Sequence, residues 1–186
     1  MKNAFLIGKQ IYLRALEEED LEGNYLSWLN DPEVTGYMTT GLFPQTKKML
    51  RQFYESASAD KNAAYFAIID KETDKHIGNT QLYKIDWRNR RCEFGILIGD
   101  RDYWSRGICK EALQLLVNYA FTKLNLRKMC INVVKENAGA VKCYTSVGFK
   151  LEGEQKEMWF DTKTNKYVSN LWLGLTIDEY EQLIEK

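Results

Sequence analysis

The stretch Tyr103–Leu124, YWSRGICKEALQLLVNYAFTKL, constrains this chain more than any other. One apolar run, Phe94 to Ile98, precedes it, and another, Met129 to Val134, follows. The order reads as strand, short loop, long amphipathic helix and strand. Ala112, Leu116, Ala120 and Leu124 recur on one helical face, with Leu113, Val117 and Phe121 beside them. Lys110, Glu111, Gln114, Asn118 and Lys123 fall mostly on the other side. Arg106 and Gly107 stand at the helix mouth, where a glycine lets free backbone N–H groups approach an anion closely. Those unpaired donors and the positive end of the helix dipole form a seat for a phosphate or pyrophosphate.

At 186 residues, 45% apolar and 28% charged, the chain suits one domain, residues 1–186, with a substantial core. Lys plus Arg and Asp plus Glu number 26 each, so no overall field gathers nucleic acid, and none is expected as a partner. The opening MKNAFLIGKQ has too short an apolar run for a signal peptide, and no later stretch suits a bilayer. No membrane partner and a cytoplasmic location are the expectation. The four cysteines, Cys92, Cys109, Cys130 and Cys143, are well separated, lack CxxC spacing and read as small buried hydrophobes. A single histidine excludes a multi-histidine metal site, and no metal is expected. His76 follows the turn-like KETDK and reads as a solvent-exposed turn residue.

The rest of the chain is mixed α/β. Ile11 to Arg14 alternates as a first strand, and LEEEDLEGNYLSWLN carries helical spacing at Leu21, Tyr25, Leu26 and Leu29. Its acids, Glu17 to Asp20, suit a solvated first turn; an acidic polyamine site is the alternative. Pro32 opens a short helix, and Thr46 caps another running to about Ala57. Ala64–Ile69, His76–Ile85 and Cys92–Ile98 form a strand meander, with Arg88, Arg90 and Arg91 at its second turn. Lys128–Val134 is a buried strand, and Asn137–Val147 a helix that Gly148 terminates. Phe149–Phe160 and Tyr167–Thr176 pair across DTKTNK, and Thr176 caps a last helix.

Two motifs carry chemistry. The first is Trp104-Ser105-Arg106-Gly107-Ile108-Cys109; alone, such a loop merely connects strand to helix. The second is Asn137, Ala140, Tyr144, Gly148 and Phe149 within NAGAVKCYTSVGF. Asn137 and Tyr144 lie two turns apart on one helical face, with small Ala140 between them. Alone, that helix could equally pack Ala140, Val141 and Tyr144 into the core. In this order, separated by a helix and a strand, the two resemble the GNAT superfamily of N-acetyltransferases. Trp104 and Cys109 depart from its general first motif, though Trp104 suits the ribosomal-protein N-terminal acetyltransferase branch and CEFGILIGDRDYWSRG is similar to spermidine N-acetyltransferases. The resemblance runs from about Ile11 to Thr176.

It implies a splayed, mostly antiparallel sheet of six to seven strands flanked by helices, with acetyl-CoA in the gap between the Cys92–Ile98 and Lys128–Val134 strands. Exposed backbone groups of Ile96, Leu97 and Ile98 would pair with the pantetheine arm. Backbone N–H groups of Trp104, Ser105, Arg106, Gly107, Ile108 and Cys109 would hold the pyrophosphate, with Arg106 adding charge. Asn137 would bond the pantetheine arm, and Tyr144, with a reference pKa of about 10, would protonate the departing thiolate. The Leu97 N–H would stabilise the oxyanion. Glu93 is either a base acting through water or a structural hydrogen-bonding group. Cys109 and Cys143 have no histidine near in sequence to activate them, so no acetyl-cysteine route is expected.

The acceptor, an amine at a protein N-terminus, on an amino sugar or on a polyamine, would meet residues of the early helices and last hairpin. Trp28, Asn30, Asp31, Glu33, Tyr37, Trp159 and Trp172 are the candidates. A homodimer would also fit, dimers being common in the superfamily. A non-catalytic acyl-CoA sensor is the rival, against which the retained Tyr144 argues. A flavin or nicotinamide enzyme lacks its GxGxxG fingerprint here.

Overall fold

The computed structural model describes residues 1–185. Its first strand, β1 (Leu6–Ile7), is too short to leave any periodicity in the sequence. Then come β2 (Ile11–Ala15), β3 (Ala64–Asp70), β4 (His76–Asp86), β5 (Arg91–Ile98), β6 (Lys128–Val134), β7 (Lys150–Asp161) and β8 (Lys166–Thr176). They make one eight-stranded sheet, ordered β1-β2-β3-β4-β5-β6-β8-β7, so the expected six to seven strands gain one through β1. Every neighbouring pair is antiparallel except β5 with β6.

Helices α1 (Tyr25–Leu29), α2 (Pro32–Thr35) and α3 (Lys47–Ala59) precede the meander; α4 (Ile108–Thr122), α5 (Ala138–Val147) and α6 (Ile177–Ile184) follow it. Thr46 caps α3 by accepting from the Met49 amide at 3.2 Å, and Thr176 caps α6 by accepting from the Glu179 amide at 3.3 Å. Among the described residues no helix is long and apolar enough to cross a membrane.

The two largest of three buried clusters among the described residues lie on opposite faces of the sheet. The larger takes the apolar stripe of α4, with Ala112, Leu113, Leu116, Val117 and Ala120 fully buried against Phe94 of β5 and Met129 of β6. Burying each large aliphatic side chain there contributes about 1.5–3 kcal/mol. The Glu111 carboxylate pins the start of α4 to β2, accepting from the Gln10 amide at 2.9 Å and the Ile11 amide at 3.4 Å. The smaller core gathers Leu21, Tyr25, Trp28, Leu29 and Leu50, with Leu97 of β5 packed against it. Adjacent residues of β5 therefore serve different cores.

Two expectations are corrected near that smaller core. LEEEDLEGNYLSWLN is not one helix: a 3-10 turn, Glu18–Glu22, ends at Gly23 before α1 begins. Asp20 turns inward, accepting from both Arg14 guanidinium N–H groups at 2.7 Å and from the Glu17 amide at 2.8 Å. That bidentate buried pair overrides the helical spacing. His76 is likewise no exposed turn residue. Its Nε2 faces the Gly78 carbonyl at 2.9 Å and Asn79 Oδ1 at 3.0 Å, while Nδ1 lies 3.6 Å from Asp20. The Trp28 ring meets it edge-on at 5.0 Å. Two acceptors at Nε2 place the proton there, and burial outweighs Asp20 in pulling the imidazole below its ordinary pKa.

Removing one partner of the buried pair strands the other, so Asp20→Ala should cost about 3–5 kcal/mol in urea unfolding. Acid should weaken the fold in two windows. The unfolded chain protonates His76 near its ordinary value of about 6.5 while the folded chain resists, so this contribution is full above that pH and fades below it. Asp20, held below the carboxylate range despite burial by Arg14 and the Glu17 amide, adds its loss only below about pH 4. His76→Gln should flatten the first window in thermal melts between pH 7.5 and 5.5.

Candidate active site

The sheet opens where its one parallel pair fails. β5 and β6 pair only at Arg91 with Lys128, Cys92 with Met129 and Glu93 with Cys130. Past Glu93, β5 stays on β4 as far as Ile98, and β6 stays on β8 as far as Val134, so the two strands part. The Gly99 amide donates to the Ile77 carbonyl at 3.0 Å. Bonded and non-bonded pairs alternate along an antiparallel ladder, so Gly95 and Leu97 turn their main chain to β4, while Phe94, Ile96 and Ile98 turn theirs into the gap. The expectation for Leu97 is corrected on this point: its amide is turned away and its side chain packs into the smaller core. At Ile98 the carbonyl already accepts from Trp104 Nε1 at 2.8 Å.

At the wide end of the gap a 3-10 turn, Arg101–Tyr103, leads into the loop ahead of α4. Ser105 (φ 61) and Gly107 (φ 80) both take left-handed backbone there. No side chain caps α4, whose first intrahelical bond runs from the Glu111 amide to the Gly107 carbonyl at 3.0 Å. The Ile108, Cys109 and Lys110 amides thus lack intrahelical partners. A side chain built at Gly107 would meet nothing within 4 Å, so an anion can reach these amides. Arg106 is exposed over the Tyr103 ring at 5.3 Å. It borders a surface hollow of about 430 Å³ where Lys9 and Lys71 face Asp70 and Glu72.

The second motif lies across the gap on α5. Asn137 caps that helix, its Oδ1 accepting from the Ala140 amide at 3.2 Å, which leaves its Nδ2 to meet a ligand. Gly148 ends the helix at φ 114. Tyr144 is 6% exposed, with its ring edge-on to Phe94 at 5.1 Å. Burial above all, then the nearby cysteines, pushes its phenol well above the ordinary value, so it keeps its proton at any physiological pH. Cys109 and Cys143, far apart in sequence, meet here with sulfurs 2.7 Å apart. Contact with Cys143 and burial push the Cys109 thiol up, so no thiolate nucleophile forms at that position.

Glu93 sits at the fork of the two strands, on the face carrying Gly95 and Leu97, opposite that of Phe94 and Tyr144. The Lys84 ammonium donates to its carboxylate at 3.1 and 3.2 Å. Beside it in register stands Tyr83, whose phenol is raised by burial and then by the Glu93 charge.

On that same face a cavity of about 530 Å³ opens between α1, the 3-10 turn Thr39–Leu42, α3 and strands β4 and β5, reaching Gly95, Ile96 and Leu97. None of the seven acceptor candidates from the sequence lines it. Trp28 is buried beneath Gly99, Asn30 bonds both main-chain groups of Gln45, and Asp31 caps α2. Glu33 lies 3.9 Å from Lys163, Tyr37 donates to the Glu136 carbonyl at 3.3 Å, and Trp159 and Trp172 belong to the final hairpin. The walls come instead from Met38, Phe43, Met49 and Phe53 among others. The i, i+4 spacing of Met49 and Phe53 was the one local signal for them.

A parted parallel pair, a capless helix mouth and a buried tyrosine meet within one sheet. Residues 10–150 match the sequence profile of the acetyltransferase (GNAT) domain. The chain belongs to the GNAT acetyltransferase family. It is 38% identical over 151 residues to the uncharacterized N-acetyltransferase p20 of Bacillus licheniformis, covering 80% of this chain and 83% of that one. To spermidine N(1)-acetyltransferase of Escherichia coli K12 it is 32% identical over 151 residues, with 81% and 78% covered. The spermidine N-acetyltransferase of Vibrio cholerae, solved with CoA and spermine, superposes with a TM-score of 0.83 at 27% identity, over 92% of this chain and 98% of that one.

For this GNAT member the loop glycine makes a clean test of backbone geometry. Open space around Gly107 means Gly107→Ala pays only for the left-handed conformation, about 1–2 kcal/mol. Gly107→Asn, which tolerates that region, should lose measurably less in the same denaturation experiment.

Proposed function

We propose that this N-acetyltransferase transfers the acetyl group of acetyl-CoA directly to a primary amine, with Tyr144 as general acid. The parting of β5 from β6 carries the proposal, because it leaves a free strand edge beside a protonated, buried phenol. Ile96 N–H and C=O and the Ile98 N–H offer that edge to the pantetheine arm as a further strand would. The uncapped amides of Ile108, Cys109 and Lys110 receive the pyrophosphate, and Arg106 adds charge. Asn137 contributes its Nδ2 from the α5 side.

Transfer needs no covalent enzyme intermediate. The amine nitrogen attacks the thioester carbonyl, a C–N bond forms, and the C–S bond breaks. The Tyr144 phenol gives its proton to the departing sulfur, and the proton shed by the acylated nitrogen restores the phenol through solvent. The Ile96 N–H lies on the edge where the oxyanion develops. Glu93, tied to Lys84 on the acceptor face, sets the charge at the fork through which the amine's proton leaves.

Saturating acetyl-CoA at about one hundred times its Kd should stabilise the fold by about 2.7 kcal/mol, and NADH should not. Tyr144→Phe should lower kcat about 10²-fold or more while leaving the acetyl-CoA shift in place. Unchanged turnover would remove Tyr144 from the acid role. Acetyl-CoA binding without thiol release on any amine would make the protein a sensor.

A further inference from the structure

The cavity of about 530 Å³ on the acceptor face has a lining with an unusual property for a family whose relatives include polyamine enzymes. Among the described residues no Asp, Glu, Lys or Arg borders it. Leu29, Met38, Phe43, Met49, Leu50 and Phe53 form an apolar wall facing Gly95, Ile96 and Leu97. Of its polar members Gln45 and Thr80 are engaged with the protein itself, while the buried Asn79 Nδ2 has no partner among the described residues and, as a donor only, cannot hold an ammonium. Gln45 Nε2 donates to the Thr40 and Phe43 carbonyls at 3.0 and 2.9 Å, and Thr80 Oγ1 donates to the Gly95 carbonyl at 2.8 Å.

Several acids near this lobe are paired with cations, and others, Glu19 and Glu55 among them, do not line the cavity. Asp20 holds Arg14, Glu18 and Glu22 hold Arg51, Glu22 also holds Lys47, and Asp31 lies 3.7 Å from Arg101. A polyamine brings a second or third ammonium that must shed water and find a carboxylate. This cavity provides none.

Building on the acetyl-transfer reading above, we propose that the acceptor is a small primary monoamine with an apolar aromatic or alkyl body. The body lies against the Met38–Phe53 wall and the amine points to the Ile96 edge. Such a wall also disfavours the ammonium form, which cannot attack, so the nucleophile arrives neutral without a strong base. The weak case for Glu93 as that base, bound as it is to Lys84, agrees with this arrangement.

The test is thiol release at saturating acetyl-CoA with 2-phenylethylamine, hexylamine, 1,4-diaminobutane and spermidine. At least one monoamine should exceed spermidine in kcat/KM by tenfold or more. Met49→Glu should lower the monoamine value at least tenfold and narrow or reverse the preference toward the diamine, with the acetyl-CoA melting shift kept as a check of the donor half. Spermidine equal to or better than both monoamines would overturn the acceptor class while leaving acetyl transfer standing. Thiol release from none of the four, with acetyl-CoA still raising the Tm, would likewise overturn the acceptor class, and absence of release with peptide and amino-sugar amines as well would overturn acetyl transfer too.

Discussion

The Ile96 main chain and the Ile98 N–H face a gap in which no strand bonds them, and the rest of the molecule is arranged around that deficit. A backbone amide or carbonyl kept from water without a partner is costly. The sheet sustains the opening because each flanking strand is fully committed on its other side, β5 to β4 and β6 to β8. Below, Ile96 and Ile98 rest on the core formed with α4, so the fork cannot zip closed without unpacking that helix.

The same strand separates the two halves of the candidate site. Alternation sends Phe94 toward Tyr144 and Gly95 and Leu97 toward the cavity of about 530 Å³, so the proposed donor and acceptor sides share a backbone but not a face. Charge is distributed accordingly. The donor side has free amides and Arg106 at the α4 mouth; the acceptor side has an uncharged wall. On the proposed reading, transfer takes place where the two meet, at the open edge.

Much of the fold was legible because its signals are local. Thr46, Thr176, Asn137 and Gly148 each act on a helix end within four residues, and each does as its type dictates. The strand–loop–helix–strand order around Gly107 also formed as read. The misses are nonlocal. Arg14 and Asp20 form a buried pair that breaks a helix, and the Asp20 side of that pair buries His76 too; nothing near KETDK announces it. The main-chain direction of Leu97 depends on its partner on β4, and Cys109 meets Cys143 only through the packing of α4 on α5. The seven acceptor candidates lie outside the cavity for a related reason. Polar and tryptophan residues drew attention, whereas the wall is methionine and phenylalanine from an exposed helix face and turns.

The smaller core, five buried residues around Trp28, has a consequence for how this protein can change. It carries the turns and helix that wall the acceptor cavity, and it meets the larger core only through the thickness of the sheet. On the proposed reading, substitutions at Met38, Phe43, Met49 or Phe53 would alter which amine is accepted without touching α4. The architecture lets a lineage rewrite its acceptor while inheriting its acetyl delivery intact.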